Sequence, residues 1–324
     1  MNNILITGIT GQDGLFLVKN LLKNKPNINI YGTTRDLKNK EIFFERLEKL
    51  NVELISNVNL IDINLRIETE VKSLIKEINP KQIYNLSGPS SVYESIKNPE
   101  VGKDAIIEIF LNLTNCLIRE KNFCNFFQAS SSEMFAKNQE GTLNEESLLF
   151  PNSPYGDSKL YCHNKVFELN DKYNWKIVSG IMFNHESEFR SEDFLMIKII
   201  NGAINILENN ADKLEIGSVD YVRDWMHSED TVRAMIAITN NPINKSYVIG
   251  SGVGNSIKDL VQIVFSYFDL DYEKYIKINP SLLRQGDSEK IIANPKRLLE
   301  DYSWQQKISF KEMIYRIIKF KLNS

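Results

Sequence analysis

The sequence predicts an α/β fold, a Rossmann-type doubly wound parallel sheet with a smaller discontinuous C-terminal lobe that binds substrate. Three observations predict it. Through residue 183, short β-rich apolar runs alternate with longer segments of helical spacing, the pattern that places helices on both faces of a parallel sheet. A turn with evenly spaced glycines follows the first run directly. Beyond residue 183 the alternation weakens, yet no repeat, low-complexity tract or Pro/Gly-rich linker cuts the chain into separate units.

The runs NILIT (3–7), INIYGTT (28–34), VELI (52–55), QIYNLS (82–87), FFQASS (126–131) and KIVSGIMF (176–183) are bounded by turn residues and read as buried parallel strands. Between them, 15–24, 41–50, 66–78, 100–120 and 157–173 have helical spacing, the last two with apolar positions three or four apart. Further on, 194–209, 228–240, 256–268 and 308–321 look helical, and YVIGSG (247–252) looks like one more strand returning to the sheet. Residues 1–182 with 222–249 are therefore expected to form a dinucleotide-binding Rossmann domain. Residues 183–221 with 250–324 are expected to form a lobe over the strand ends, where ligands bind in such sheets.

Composition narrows the partners. With 42% hydrophobic content, 324 residues can bury one large core or two moderate ones. The 39 basic and 42 acidic side chains form no long single-sign run, so no electrostatic footprint for nucleic acid or a membrane surface is present. There is no basic segment followed by a cleavable apolar run, and no apolar stretch approaches the roughly 20 residues that span a bilayer. A soluble, unprocessed, cytoplasmic protein is expected. Cys116, Cys124 and Cys162 are odd in number, and neither they nor the three histidines have ligand spacing, which fits a reducing compartment and no metal. Glycosylation-type triplets at Asn85, Asn112 and Asn244 are short enough to recur by chance and carry no weight.

The segment ILITGITGQDGLFLV (4–18) places Gly8, Gly11 and Gly14 at equal intervals between a strand and a helix. Such a turn directs backbone N–H groups and the positive end of a helix dipole at a pyrophosphate. Asp13 is the discordant residue, an acid where phosphate is expected, and a ligand-free tight turn is the alternative. After the second strand, GTTRD supplies Arg35, which can pair bidentately with a ribose 2′-phosphate and so favours NADP. Adjacent Asp36 would suit a bare 2′-hydroxyl, and a solvated Arg35–Asp36 pair is the bland alternative.

In SPYGDSKLY, Tyr155 and Lys159 stand four apart at a helix start, on one helical face. An ammonium beside a phenol favours the phenolate, so a group with an ordinary pKa of about 10 becomes usable as a base. FFQASSSEMFA ends a buried strand with Ser130, Ser131, Ser132 and Glu133. Alcohol oxidation needs one hydroxyl here. Glu133 adds a second proton-transfer group, which points to chemistry beyond that oxidation. A solvated helical pair and a carboxylate placed for a helix dipole are the structural alternatives.

Taken together, GITGQDG (8–14), IYNLSGPSSV (83–92), QASSSE (128–133), SPYGDSKLY (153–161), MFNHES (182–187), RDWMHSED (223–230) and ANPKRLLEDYSW (293–304) resemble the GDP-mannose 4,6-dehydratase family, extended short-chain dehydrogenase/reductases. MFNHES is the most discriminating of these. The resemblance runs nearly end to end and implies a hydro-lyase. Ser131 would bond the sugar 4-hydroxyl, Tyr155 would deprotonate it, and Lys159 would hold the nicotinamide ribose while hydride leaves C4 for NADP. Glu133 would then remove the acidified C5 proton and protonate the departing 6-hydroxyl. Return of the hydride to C6 gives a 4-keto-6-deoxy sugar nucleotide with no net oxidation.

The same resemblance assigns Gly8, Thr10, Gly11, Gln12, Asp13 and Gly14 to the cofactor, with Arg35, Asn59, Leu60, Leu86, Ser87, Ser90, His185 and Arg190. Arg223 and Arg284 are assigned to the nucleotide diphosphate, and Ser90, Asn184 and Lys198 to the substrate pocket. Trp225 reads as core. Several positions depart from the family pattern: Ser131 replaces threonine, Phe135 tyrosine and Asn59 aspartate, Val101 stands where a cofactor-facing tyrosine is expected, and RDLK (35–38) lacks a run that reaches a neighbouring subunit. A homodimer or homotetramer is expected. The sugar is expected to be GDP-mannose or a close relative such as a GDP-manno-heptose. A nucleotide-sugar epimerase or reductase and a non-catalytic dinucleotide sensor are the competing readings; Glu133 argues against the first, and the complete Ser–Tyr–Lys set against the second.

Overall fold

The computed structural model describes residues 2–36, 38, 40–89, 99–139, 141–283 and 287–323, with only the backbone described for 99–104. Seven parallel strands form the central sheet: β1 (Asn2–Thr7), β2 (Ile28–Thr34), β3 (Val58–Asp62), β4 (Gln82–Asn85), β5 (Asn125–Ser131), β6 (Ile177–Met182) and β10 (Ser246–Ile249). Their order is β3-β2-β1-β4-β5-β6-β10. The order reverses between β1 and β4, and the crevice outside their carboxyl ends is where such sheets bind ligands. The predicted α/β class is the one observed.

Both faces of the sheet are covered because its strands are apolar on both sides. On one face Ile4, Ile6, Tyr84 and Phe127 pack with Leu15, Phe16, Val232 and Met235 from helices Gln12–Asn24 and Ser228–Asn240. On the other, Leu5, Ile83 and Phe126 meet Val71, Phe110 and Val166 from helices Glu68–Ile78, Pro99–Arg119 and Pro154–Tyr173. A third core joins Met196, Ile200, Leu260, Phe265, Ile314 and Ile317. Trp225 belongs to it, 3% exposed and stacked on Phe310, as the sequence suggested.

The third strand is not VELI but the next alternating segment, VNLID. Asn51 adopts a left-handed backbone at the end of helix Lys40–Lys49, and the Val52 N–H donates to Leu47 O. Such a closure uses the following hydrophobic residue as its contact, so Val52 is buried for the helix, not for the sheet. The segment Ile55–Asn57 then makes a 3₁₀ turn. YVIGSG also pairs for less than its length: β10 stops at Ile249, and Gly252 has φ +78°. Besides the short pair β8 (Leu214–Ile216) and β12 (Ile276–Ile278), periodicity did not reveal a second, four-stranded sheet built on β9 (Val222–His227), which pairs with β7 (Asn184–Glu186), β11 (Gly254–Ser256) and β13 (Lys290–Ile291). Three of its strands have only two or three residues, too few to show a period.

Candidate active site

The turn after β1 is glycine for reasons of space. Gly8 has φ +67°, and a Cβ on it would stand 3.2 Å from the Ser87 backbone. A Cβ on Gly14 would stand 2.1 Å from Ile9 O. Gly11, the N-cap of the first helix, differs: no side chain caps it, and an added Cβ would meet only Gly8 O at 3.4 Å. The first turn of this 13-residue helix is thus left without a side-chain cap, an arrangement that accepts a phosphate group. Thr10 is half-buried in this turn.

Asp13 does not disturb that arrangement because its charge is met by the MFNHES segment. Its Oδ2 lies 2.9 Å from His185 Nε2, while His185 Nδ1 lies 2.8 Å from Phe183 O. Two acceptors for two ring nitrogens define an imidazolium. Burial alone would lower the His185 pKa; the Asp13 charge and hydrogen bond, with the Phe183 carbonyl, outweigh burial and opposition from Arg190, and the net shift is upward. For Asp13, burial raises the pKa, but His185 and then Arg190 outweigh it and the carboxyl is held below its ordinary range.

Gln12 is tied to the same segment at both ends of its amide. Nε2 donates to His185 O at 3.0 Å, and Oε1 accepts from Ser187 Oγ at 2.8 Å. Arg190 lies 3.0 Å from Glu186 and stacks on Phe194. The Arg190 Nε and Glu186 Oε2 atoms, though close, lack hydrogen-bond alignment, so theirs is a contact of charge. Burial raises the Glu186 pKa despite Arg190. Gln12, Asp13, His185 and Arg190 therefore act at least as a brace beneath the turn.

At the carboxyl end of β5 the strand's alternation divides the three serines. Ser130 points into the core, 2.7 Å from Ser179 Oγ, which in turn is 2.8 Å from His163 Nδ1. Burial pushes the pKa of His163 down to about 4, so this histidine is neutral and structural. Ser131 Oγ accepts the Glu133 N–H at 3.2 Å and opens the 3₁₀ turn Ser132–Met134.

Helix Pro154–Tyr173 is launched by its own sequence. Ser153 Oγ accepts from Gly156 N at 3.1 Å, and Pro154 fits the first turn, where no N–H is needed. A Cβ on Gly156 would lie 2.6 Å from Glu133 O, so the helix start is pressed against the Ser131–Glu133 turn. Tyr155 is half-buried there. Lys159, only 5% exposed, donates from Nζ to Ala129 O at 2.8 Å and sits 5.5 Å from the Tyr155 ring centroid. Ser131, Glu133, Tyr155 and Lys159 are thus brought together by one strand end and one helix start.

Glu133 lines a cleft of ≈ 60 Å³ with Asn138, Asn152, Asp287, Ser288 and Lys290. Arg223 reaches the same cleft wall, its Nη2 lying 2.9 Å from Asp287 Oδ1. Asn184 is half-buried on β7, and Lys198 is exposed on helix Leu195–Leu207. Leu86 and Ser87 are half-buried at the end of β4, and both N–H groups donate to Thr7 Oγ1 at 3.1 Å. Arg35 is exposed after β2. Asn59 is exposed and Leu60 half-buried within edge strand β3, three and two residues before its end. Ser90 and Arg284 lie outside the described residues, as does the Val101 side chain.

Sequence reasoning passed over Asp224, fully buried on β9. Its carboxylate accepts from Ser251 N and Oγ, Gly252 N and Ala293 N, binding three segments beside Arg223. Burial raises its pKa against those bonds. It also passed over Thr7, Asn85 and Gln128. All three are buried, and only the register of β1, β4 and β5 aligns them.

A parallel sheet ending in a glycine turn, with a Ser–Tyr–Lys group at the neighbouring strand ends, defines an extended short-chain dehydrogenase/reductase. Comparison with known proteins places it more narrowly. The chain belongs to the GDP-mannose 4,6 dehydratase family, whose sequence profile matches residues 5–317, and it is an enzyme of that hydro-lyase family. It is similar to the GDP-mannose 4,6 dehydratase of Drosophila melanogaster, 29% identical across 97% of this chain and 85% of that one. The Homo sapiens enzyme of the same name is 30% identical across 91% of this chain and 77% of its own. Among solved structures, a dTDP-glucose 4,6-dehydratase from Bacillus anthracis, in complex with NAD, shares the fold with a TM-score of 0.85, at 18% identity, covering 100% of this chain and 97% of that one.

Proposed function

We propose that this enzyme dehydrates GDP-mannose, or a close GDP-manno sugar such as a heptose, to the 4-keto-6-deoxy sugar nucleotide, with NADP as its cofactor. One observation carries the reading: Ser131 and Glu133 share a single turn against which the helix bearing Tyr155 and Lys159 is pressed. This proximity supports pairing an alcohol oxidation group with a second acid/base group at one strand end.

The open helix N-terminus at Gly11 fits a dinucleotide pyrophosphate, and Lys159 fits the nicotinamide ribose. Asp36 supports NADP: its Oδ1 accepts the Lys38 N–H at 2.8 Å, closing a turn, which leaves the exposed Arg35 as the cation for a 2′-phosphate. When bound, the dinucleotide supplies a two-electron acceptor at C4 that is regenerated at C6. In this reading the sugar nucleotide lies between residues 1–182 with 222–249 and residues 183–221 with 250–324, its diphosphate near Arg223.

The residues divide the proton work. Ser131 Oγ, which already accepts the Glu133 N–H, keeps its own O–H to orient the sugar 4-hydroxyl. Tyr155 takes the 4-hydroxyl proton, with Lys159 Nζ 5.5 Å from its ring centroid. The resulting 4-keto group acidifies C5–H. Glu133 takes that proton, the C5–C6 double bond forms as the C6–O bond breaks, and Glu133 returns the proton to the departing hydroxide as water; on hydride return to C6, C5 takes up one proton from solvent and Tyr155 releases the one it had accepted, so that one water is lost overall. Mass spectrometry of the purified protein incubated with GDP-mannose, GDP-manno-heptose and other nucleotide sugars tests the proposal. Loss of water from a GDP-manno sugar is expected; unchanged mass with altered configuration, or net reduction, would overturn it in favour of epimerase or reductase chemistry.

A further inference from the structure

Three neighbouring strands present one polar side chain each in a single row. Thr7, Asn85 and Gln128 are register partners across β1, β4 and β5, and each is 2% exposed or less. In-register residues of parallel strands share a face. This face is the one packed under helix Pro154–Tyr173, which carries Lys159.

The row is hydrogen-bonded in one direction, and backbone groups set that direction. Leu86 and Ser87 N–H groups both donate to Thr7 Oγ1, so the Thr7 proton goes to Asn85 Oδ1 at 2.7 Å. With Oδ1 committed, Asn85 Nδ2 donates to Gln128 Oε1 at 2.8 Å. Gln128 Nε2 then donates to Ala129 O at 3.1 Å. That carbonyl is the acceptor of Lys159 Nζ. It lies one residue past the last β4–β5 pair, Asn85 with Gln128, where β5 has run beyond its β4 neighbour.

We infer that Gln128, at the end of the chain Thr7–Asn85–Gln128, is a positioning residue that sets the Lys159 ammonium against Tyr155 through the Ala129 carbonyl. The inference rests on the proposed roles of Tyr155 and Lys159. The chain's other end holds Leu86 and Ser87 beside the glycine turn, so one buried network ties the proposed dinucleotide wall to the proposed base. Such a network rigidifies when every member is satisfied, and loses this when one is removed.

Gln128→Met keeps approximate volume and removes both bonds. Ser179→Ala is the comparison, since Ser179 is the register partner of Gln128 on β6 and is bonded to Ser130 and His163, outside the chain. Two readouts are taken: the pH profile of kcat with GDP-mannose, and the rate of amine labelling at Lys159 in the ligand-free protein, followed by peptide mass spectrometry. In Gln128→Met the acid limb of kcat is expected to move up by about one pH unit, about tenfold in rate below the limb. Lys159 labelling is expected to rise several-fold. Ser179→Ala should leave both at parental values even where it lowers Tm. Thr7→Val, two links away, should give a smaller change of the same sign and serves if Gln128→Met fails to fold. A parental pH profile and labelling rate in folded Gln128→Met, or the same change in Ser179→Ala, overturns the inference. Failure of the parent to turn over GDP-mannose, or full turnover in Tyr155→Phe, would instead strike the proposed function and leave the labelling arm to decide.

Discussion

Asp13 and His185 form an ion pair 2.9 Å apart beneath the first turn of the helix that opens the glycine motif. They are 172 residues apart in sequence, so the pair joins the start of the chain to the MFNHES segment after β6. Its two members are shifted in opposite directions, which fixes the sign of its pH dependence. His185 is raised in the fold, so its contribution is fully present below about 6.5 and is lost as pH climbs through the raised value. Asp13 is lowered, so its contribution is present above the ordinary carboxylate range and is lost as pH falls through the depressed value. Stability from the pair is therefore greatest between the two.

Asp13→Asn should remove that window. The imidazolium would lose its partner, a change on the order of 3 kcal/mol for a buried pair. Denaturant unfolding at several pH values would show the parent weakening as pH climbs past the imidazole range, with the variant lacking this step. Parallel parent and variant curves would mean that the pair contributes no linked stability.

Tyr155→Phe removes one oxygen and keeps the ring, so folding and dinucleotide content should be retained. Turnover should fall by a factor on the order of 10² to 10⁴, the usual worth of a positioned general base. Lys159→Ala should both weaken dinucleotide retention and require a higher pH for activity, since the ammonium 5.5 Å from the ring centroid is gone. Near-parental turnover in Tyr155→Phe with intact dinucleotide would assign the base to another group.

Arg35, exposed after β2, is the cation on which the NADP proposal rests. Denatured protein should release NADP in excess over NAD, and Arg35→Ala should lower NADP retention while sparing NAD. A charge-assisted bond of this kind is worth about 1.5–3 kcal/mol, roughly ten- to a hundredfold in affinity. Predominant release of NAD by the parent would give the deciding role to Asp36.

What was legible in the sequence was legible for local reasons. Strand, glycine turn and helix lie in contiguous sequence, and Tyr155 and Lys159 need only one helical turn to meet. VELI was misread because an apolar run of four carries no period, and Val52 answers to the end of the preceding helix. Asp13 seemed misplaced because its counter-charges come from residues 185 and 190. Ser130 stood beside Ser131 as an equal candidate, and only the strand's alternation sends it to Ser179 and His163. The polar row of Thr7, Asn85 and Gln128 needs the register of three strands before it exists at all.

The sharpest test falls on Glu133, because it separates oxidation from dehydration within one site. Glu133→Gln preserves the size of the side chain and the backbone N–H that Ser131 Oγ accepts, so the turn should stand. In the proposed mechanism Tyr155, Lys159 and Ser131 remain to oxidise C4. What the amide cannot do is take the C5 proton or return it to the departing hydroxyl. The variant should accumulate a 4-keto sugar nucleotide two hydrogens lighter than the substrate, with deuterium uptake at C5 and loss of water each reduced by a factor on the order of 10² or more. NMR in deuterium oxide reads the first, and mass after rapid quenching reads the second. Normal C5 exchange and water loss in Glu133→Gln would leave Glu133 as a carboxylate that merely begins a turn, and would require a different acid/base group in the cleft it shares with Asn138, Asn152 and Ser288.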